Sequence, residues 1–467
     1  MTILIETQSL SVYTRSGLCL VEPINIRLQQ GQCLTILGET GSGKSLLAQA
    51  IMGCLPDGLI IKGQIHIHQD LINQKLGRQN WGKCMAMLPQ EPVRSLDPTM
   101  NIFNQVWESF SLVGQLNNGL SSQKTKEKLT ALGLAKFMKY FPHQLSGGMA
   151  QRASFAAATS GGAIMVIADE PTKGLDEKNK RIVIQLLQDI VNQGGTLLTI
   201  THDIDVAEQL GGSIMVMKKG ILLEQGNAQQ VLKNPQSEYA QQLMAASPHN
   251  WQKQVKQEVV SEMLVTAKDL SLGRGERTLF KDLNFQLRKG EVLGLIGDSG
   301  IGKSSLGDAL CGLLKPKCGE ISWNFKPKRQ QVLKLYQDPP AAFAQSVSLQ
   351  ILLDDVIDKH GLDRSKIPYL LKQLKLEQDL LARTANNVSG GELQRVAILR
   401  ALLFEPVLLF ADEVTSRLDP ITQKETLDLL IEQCRIHNCT LVIVSHDHHL
   451  IEHYCHQIID LTEYQLQ

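Results

Sequence analysis

A phosphate-cradling pattern occurs twice in this chain, and it narrows the possible folds further than any other feature. Gly38-Glu39-Thr40-Gly41-Ser42-Gly43-Lys44-Ser45 reads G-x-x-x-x-G-K-[ST]. An apolar, strand-like run, Cys33 to Leu37, leads in, and a helix-forming run, Leu46 to Met52, leads out. Glycines at these positions let backbone N–H groups turn toward phosphates, and the helix N-terminus adds its positive dipole end. Lys44 is expected to reach the β/γ-phosphates of a nucleotide, and the Ser45 hydroxyl to ligate Mg²⁺. Gly297-Asp298-Ser299-Gly300-Ile301-Gly302-Lys303-Ser304 repeats the pattern after the apolar run Val292 to Ile296. The chain therefore reads as one nucleotide-binding module present in tandem.

A length of 467 residues suits such a pair. Hydrophobic residues at 43% and charged residues at 20% describe an ordinary soluble globular protein. Lys and Arg balance Asp and Glu at 47 each, which argues against a nucleic-acid binder with a basic stripe. The nine cysteines show no CxxC pair or metal-ligand spacing, so they read as reduced structural thiols. The N-terminus lacks a signal-peptide pattern, and no apolar run approaches the ~18 residues that span a bilayer.

Residues 1–37 read as short β-runs, Ile3 to Ile5, Leu10 to Tyr13, Ile24 to Leu28 and the strand into the first P-loop. Tyr13 has the position to stack on an adenine ring, or equally to be a partly buried strand tyrosine. A β-rich region from 64 to 88 ends in Cys84 to Leu88, and Gln90 follows between prolines, placed to touch a metal or a water. A polar helical stretch runs from about 100 to 142. Ser146, Gly147 and Gly148 then open a helix with a second phosphate-sized nest of N–H groups. The apolar strand Ala163 to Ala168 ends in Asp169-Glu170. Carboxylates there suit a doubly wound sheet, with Asp169 holding Mg²⁺ and Glu170 polarising the attacking water. Another apolar strand, Thr196 to Ile200, delivers His202 to the same edge.

The second half repeats these signals in order: Gln337, then Ser389-Gly390-Gly391, then Asp412-Glu413, then His446. Ser146 to Glu170 and Ser389 to Glu413 are both 24 positions apart, whereas Lys44 to Gln90 spans 46 and Lys303 to Gln337 spans 34. The chemical core keeps its register while the intervening β-region shortens. The second half has Leu270-Ser271-Leu272-Gly273 where the first has Leu10 to Tyr13, so its adenine platform is missing. Ile301 replaces Ser42, and Val414 replaces Pro171. A lost stacking contact of roughly 1 kcal/mol or somewhat more predicts up to about tenfold weaker ATP binding at the Lys303 site. His449, His453 and His456 share helical spacing, but they read as a solvated helix near the terminus rather than as metal ligands.

The ordered set of P-loop, Gln, Ser-Gly-Gly, Asp-Glu, Asp loop and His resembles the ATP-binding subunit of ABC transporters, over nearly the whole chain and twice. Leu145 to Met149 with Gln151-Arg152, and Gly220 to Gly226 followed by Asn234 to Tyr239, resemble the oligopeptide/dipeptide/nickel importer branch. Ser237-Glu238-Tyr239-Ala240 departs from that branch's His-Pro-Tyr-Thr, and the second half ends at Gln467 without the matching tail. The resemblance implies an α/β fold of two tandem P-loop NTPase domains. Each would have a mostly parallel sheet core, an antiparallel β-subdomain and a helical subdomain, over 1–245 and 263–467 with a linker at 246–262. It implies ATP and Mg²⁺ as cofactors and a head-to-tail sandwich closed over two nucleotides. One site would join Gly38, Gly41, Ser42, Gly43, Lys44, Ser45, Gln90, Asp169, Glu170 and His202 to Ser389, Gly390 and Gly391. The other would join Gly297, Gly300, Gly302, Lys303, Ser304, Gln337, Asp412, Glu413 and His446 to Ser146, Gly147 and Gly148. The seventeen-residue linker can reach roughly 55 Å and would hold one half near the other at ~mM effective concentration.

The function expected from this is ATP-driven energy coupling for an importer of peptides, nickel or a metal chelate. The chain would work at the cytoplasmic face of the inner membrane with integral permease subunits and an extracytoplasmic substrate-binding protein, and without nucleic acid. The alternative, a soluble tandem ATPase acting on ribosomes, resembles this chain in its motifs but carries a long basic helical insert. A chromosome or repair ATPase would need a coiled coil within each module, and no such tract occurs.

Overall fold

Every residue of Cys33–Gly38 is buried, and so is every residue of Met165–Asp169 and of Thr196–Thr201. Continuous apolar runs of this kind form central parallel strands with both faces covered. They lie in a six-stranded sheet whose order is Ile221–Asn227, Ser213–Lys218, Cys33–Gly38, Thr196–Thr201, Met165–Asp169 and Met85–Leu88. All pairs are parallel except the hairpin at the Ile221 edge. Alternate residues face opposite layers. Met165 and Ile167 join the core containing Leu47 and Ile51 of the helix after the P-loop, whereas Val166 and Ala168 pack with Ile102, Leu129 and Phe155 of the helical region.

The computed structural model describes residues 3–67, 70–72, 80–251, 261–337 and 342–465. It divides into two units, Met1–Ser247 and Pro248–Gln467. Most of the expected linker, residues 252–260, lies outside the described residues. Before it, Pro248–Asn250 forms a short 3₁₀ turn, and Trp251 packs against His453 and Tyr454 within the second unit.

An antiparallel sheet completes the first unit. The two expected N-terminal runs are one strand, Ile3–Thr14, paired with Cys19–Ile24, Arg27–Gln29 and Leu59–Ile67. The register slips between Gln8 and Ser11, where Ser9 takes a left-handed φ of 48°. A Cβ on Gly63 across the pair would lie 2.3 Å from the Ser9 carbonyl, so that close approach needs glycine. The same device recurs in the second unit, with Asp269 at φ 48° facing Gly319. The polar stretch of 100–142 forms helices Ile102–Glu108 and Asn118–Ala131 with a π-turn after the first.

The second unit has a five-stranded parallel sheet in the order Val332–Leu335, Leu408–Asp412, Thr440–Val444, Val292–Ile296 and Gln457–Asp460. Its antiparallel sheet is Met263–Arg274, Arg277–Arg288 and Cys318–Trp323. The helix bearing the C-terminal histidines ends at Tyr454, so His456 is not on its face. The His456 ring accepts from the Val292 N–H at 3.0 Å, and His449 meets His249 at 3.4 Å. His449 and His456 are nonetheless exposed and His453 is half-buried, so the solvated reading of this segment holds alongside these contacts; no metal-type cluster occurs among the described residues. All nine cysteines are free thiols.

Candidate nucleotide sites

The sheet order explains why residues scattered over 164 positions meet. The P-loop leaves Cys33–Gly38, His202 leaves the adjacent Thr196–Thr201, Asp169-Glu170 end the next strand, and Gln90 follows the strand after that. All four loops lie at the carboxyl end of a parallel sheet, where such folds bind ligands.

Gly38 and Gly43 shape the loop. A Cβ on Gly38 would lie 2.2 Å from the Met217 carbonyl, and one on Gly43, at φ 91°, would lie 2.9 Å from Val21. Gly41, at φ 83°, opens onto free space. Lys44 begins the helix Lys44–Met52, and its buried ammonium donates to the Gly38 and Glu39 carbonyls at 2.8 and 2.7 Å and contacts Ser42 Oγ at 3.4 Å. In the second loop Lys303 donates to the Gly297 and Asp298 carbonyls at 2.7 and 3.1 Å. Ile301, buried, stands where Ser42 supplies the third contact. Gly300 and Gly302 keep positive φ values of 80° and 119°. Ser45 and Ser304 follow the lysines in the first helical turn.

Glu170 and Glu413 both occupy left-handed backbone, φ 48° and 49°, at a cost of about 1–2 kcal/mol each for a residue with a Cβ. The Glu170 N–H donates to the Ile200 carbonyl at 2.8 Å, and the Glu413 N–H to Val444 at 3.2 Å, so the neighbouring strand holds the turn. Glu170 Oε1 lies 2.8 Å from His202 Nδ1, and Glu413 Oε1 lies 2.8 Å from His446 Nε2. Burial alone would raise the Glu170 carboxyl, but the His202 charge and hydrogen bond, with Lys44 and Lys173, bring it below its ordinary value. Glu413 is lowered against the same burial by His446 and Lys303. Both carboxylates are thus held ionised beside a histidine. Gln337 Nε2 donates to Glu413 Oε2 at 2.7 Å, while Gln90 is exposed at its strand end.

Asp169 is buried, and its Oδ1 has no hydrogen-bond partner. Burial raises its carboxyl, the Ser45 hydroxyl lowers it, and the Glu170 charge raises it further. A buried acceptor left unpaired beside a serine hydroxyl is a donor set for a hard divalent cation. Asp412 is different. Its Oδ2 lies 2.9 Å from Lys334 Nζ, a buried ammonium on the adjacent strand. Burial would lower that lysine, but Asp412 and Asp308 raise it above its ordinary value.

The Ser-Gly-Gly segments open long helices, Gly147–Thr159 and Gly390–Leu402. Ser146 caps the first by accepting from the Met149 N–H at 3.4 Å. Ser389 accepts from the Glu392 N–H at 3.3 Å, and the Glu392 carboxylate takes bonds from the Ser389 N–H and hydroxyl, both at 2.7 Å. The two glycines of each segment differ. Gly147 is exposed, and a Cβ added there would meet nothing within 4 Å, whereas a Cβ on Gly148 would lie 2.4 Å from Asn179 Oδ1. Gly390 is likewise exposed, an added Cβ meeting only Leu418 Cδ2 at an ordinary 3.6 Å, while Gly391 is closed by Thr422 at 2.4 Å. Tyr13 is half-buried, with Lys62 Nζ 4.3 Å from its ring centroid.

Three supports of these sites leave little or no trace in the sequence. Lys180 bridges Asp203 and Asp205 at 2.7 and 2.8 Å, fixing the turn after His202. Lys173 acts on both Asp169 and Glu170, and Lys334 on Asp412. Only Lys334 left a visible signal, a lysine inside the apolar strand Val332-Leu333-Lys334-Leu335.

Comparison with known proteins agrees with this geometry. The ABC transporter family model matches residues 21–173 and 280–416. The chain is 30% identical to the uncharacterized ABC transporter ATP-binding protein YejF of Escherichia coli (strain K12), covering 95% of this chain and 90% of that protein. It is 29% identical to the peptidoglycan transport ATP-binding protein YejF of Agrobacterium fabrum (94% and 87% covered) and to the glutathione import ATP-binding protein GsiA of Salmonella typhi (94% and 81% covered). Among solved structures, the archaeal ribosome recycling factor aABCE1, in complex with the stalk protein aP1, has a TM-score of 0.70 at 21% identity, covering 96% of this chain and 87% of that one. That last likeness is one of fold. With the two P-loops, the paired Glu–His contacts and these relatives together, the chain belongs to the ABC transporter family as an ATP-binding protein that carries the nucleotide-binding module twice.

Proposed function

We propose that this chain is the ATP-hydrolysing subunit that powers import of peptide-like cargo through separate integral permeases, at the cytoplasmic face of the membrane. The observation that carries the reading is the assembly, in each unit, of P-loop lysine, strand-end Asp-Glu and histidine at one sheet edge. Relatives named for peptidoglycan transport and glutathione import support the class of cargo, and an extracytoplasmic binding protein would deliver it in this reading. No helix among the described residues is long and apolar enough to cross a membrane, so the permease is a separate chain in this reading.

The roles follow from the atoms. Lys44, Gly41 and Gly43 take the β/γ-phosphates, and the Lys44 ammonium exchanges loop carbonyls for phosphate oxygens. Tyr13 stacks on the base. Glu170 accepts the proton of the attacking water, and His202 holds its carboxylate in place. Asp169, Ser45 and Gln90 would hold Mg²⁺, which supplies charge neutralisation for the phosphates. Lys303, Glu413 and His446 repeat the phosphate-binding, base and positioning roles. The exposed Ser146-Gly147 and Ser389-Gly390 helix ends support closure of each site by the opposite unit.

Copurification from detergent-solubilised membranes tests the class. Integral permeases as partners support the reading, and ribosomes in their place overturn it.

A further inference from the structure

The two units diverge where each presents its strand-end aspartate. In the first, the strand beside Met165–Asp169 carries Met87 in register with Ile167. In the second, Lys334 takes that place, in register with Phe410. The helix after the P-loop changes with it, carrying Asp308 where the first unit has Gln49. Lys334 Nζ lies 2.9 Å from Asp412 Oδ2 and 3.1 Å from Asp308 Oδ1, and donates to the Ser304 carbonyl at 3.0 Å. Its side chain is 6% exposed. Arg274 also bridges Asp308 and donates to Ser305. Since Arg274 already balances Asp308, the Lys334 charge is left for Asp412.

This arrangement has a consequence for cations. Asp169 offers a buried oxygen with no partner, whereas Asp412 faces an ammonium fixed by three oxygens. A divalent ion entering beside Asp412 would meet a like charge with little water to screen it. The helix after the P-loop packs tightly beside it: a Cβ on Gly307 would lie 2.5 Å from the Phe410 ring, whose centroid lies 5.6 Å from Lys334 Nζ. Lys334 cannot step aside without breaking contacts to both carboxylates.

We propose that Lys334 is a built-in counter-cation of the second nucleotide site. This site then takes a nucleoside triphosphate without a tightly held divalent ion, while the first site requires one. The inference rests on the reading of Asp169 and Asp412 as the metal-side carboxylates.

The test counts Mn²⁺ bound to the full chain by electron paramagnetic resonance, in the presence of a saturating non-hydrolysable ATP analogue whose own stoichiometry is measured in parallel. The expected result is two nucleotides but one tight Mn²⁺ per chain, the second at least tenfold weaker. Lys334→Met with Asp308→Gln, which copies the first unit's Met87 and Gln49, is expected to bring the tight Mn²⁺ count to two. The reciprocal Met87→Lys is expected to lower the count below one and guards against a misfolded second unit. Two equally tight Mn²⁺ ions in the unaltered chain, or an unchanged count in the Lys334→Met pair, would overturn the proposal. Asp169→Asn separates the two levels. If it leaves the tight Mn²⁺ in place, the reading of the aspartates fails; if it removes it, that reading stands and the Lys334 variants decide the rest.

Discussion

Replacing Glu170 and Glu413 together by glutamine separates chemistry from architecture. Glutamine fills the same volume, and its amide oxygen can still meet His202 across the 2.8 Å contact. The structural loss is the difference between a charge-assisted and a neutral hydrogen bond, about 1 kcal/mol per site. Each residue keeps the same left-handed backbone, so that strain is unchanged. The chemical loss is far larger. A positioned general base contributes about 10²–10⁴ in rate, equivalent to about 3–5 kcal/mol of barrier. Phosphate release at saturating ATP should therefore fall at least a hundredfold in the double variant, while nucleotide affinity stays within a few-fold and melting shifts only slightly. If the double variant folds, binds nucleotide normally and still releases phosphate at more than a tenth of the original rate, the assignment of Glu170 and Glu413 is wrong.

Three other outcomes follow from the same geometry. Both glutamate pKa values lie below their unfolded value of about 4.3, so the stability they contribute is complete above that pH and is lost as pH falls through the folded values; acid-unfolding curves of the double glutamine variant should accordingly be less pH-dependent between about pH 6 and 3, and identical slopes would contradict the shifts. Gly147→Ala should melt with the unaltered chain yet lower phosphate release, because its Cβ meets only open space, whereas Gly148→Ala should cost roughly 1–3 kcal/mol by pressing on Asn179, which holds Arg152 at 2.8 Å; calorimetry of the pair distinguishes the two roles. Lys180→Met should destabilise the first unit by about 1–2 kcal/mol, discounted because Asp203 and Asp205 are about a third exposed, and lower activity through the turn after His202; unchanged melting would show that this bridge is surface decoration.

What is legible in the sequence is chemistry that depends on contiguous residues. Phosphate cradles and strand-end carboxylates need fixed local spacing, so their residues stand out, and buried parallel strands announce themselves as unbroken apolar runs such as Met165 to Ala168. The first strand reads as two because Glu6-Thr7-Gln8-Ser9 interrupts the apolar pattern, yet the Ser9 bulge lets the chain continue across it. His456 reads as part of a helical face because periodicity does not show where a helix stops; the chain turns after Tyr454 to pair with Val292. The pairing of Lys334 with Asp412 is hidden for another reason. The lysine's partners lie 26 and 78 positions away, and only the sheet order brings them together.

In the roles proposed above, the two sites share their water-activating ends and differ at their cation ends. Glu170–His202 and Glu413–His446 have the same 2.8 Å contact and nearly the same φ, so both units retain the strained turn that aims a carboxylate. Strain of that kind persists only where the surrounding strands over-determine it, which argues that both glutamates are functional. Around them, the first unit adds Lys173 where the second has Ser416, and leaves Asp169 Oδ1 unpaired where the second supplies Lys334. Two sites of equal chemistry and unequal cation affinity should turn over at different rates. A rapid-quench measurement with excess ATP should then show a fast phase of phosphate formation close to one per chain, with the Lys303 site following more slowly. An amplitude of two in the fast phase would mean that the asymmetry at Asp412 has no kinetic weight.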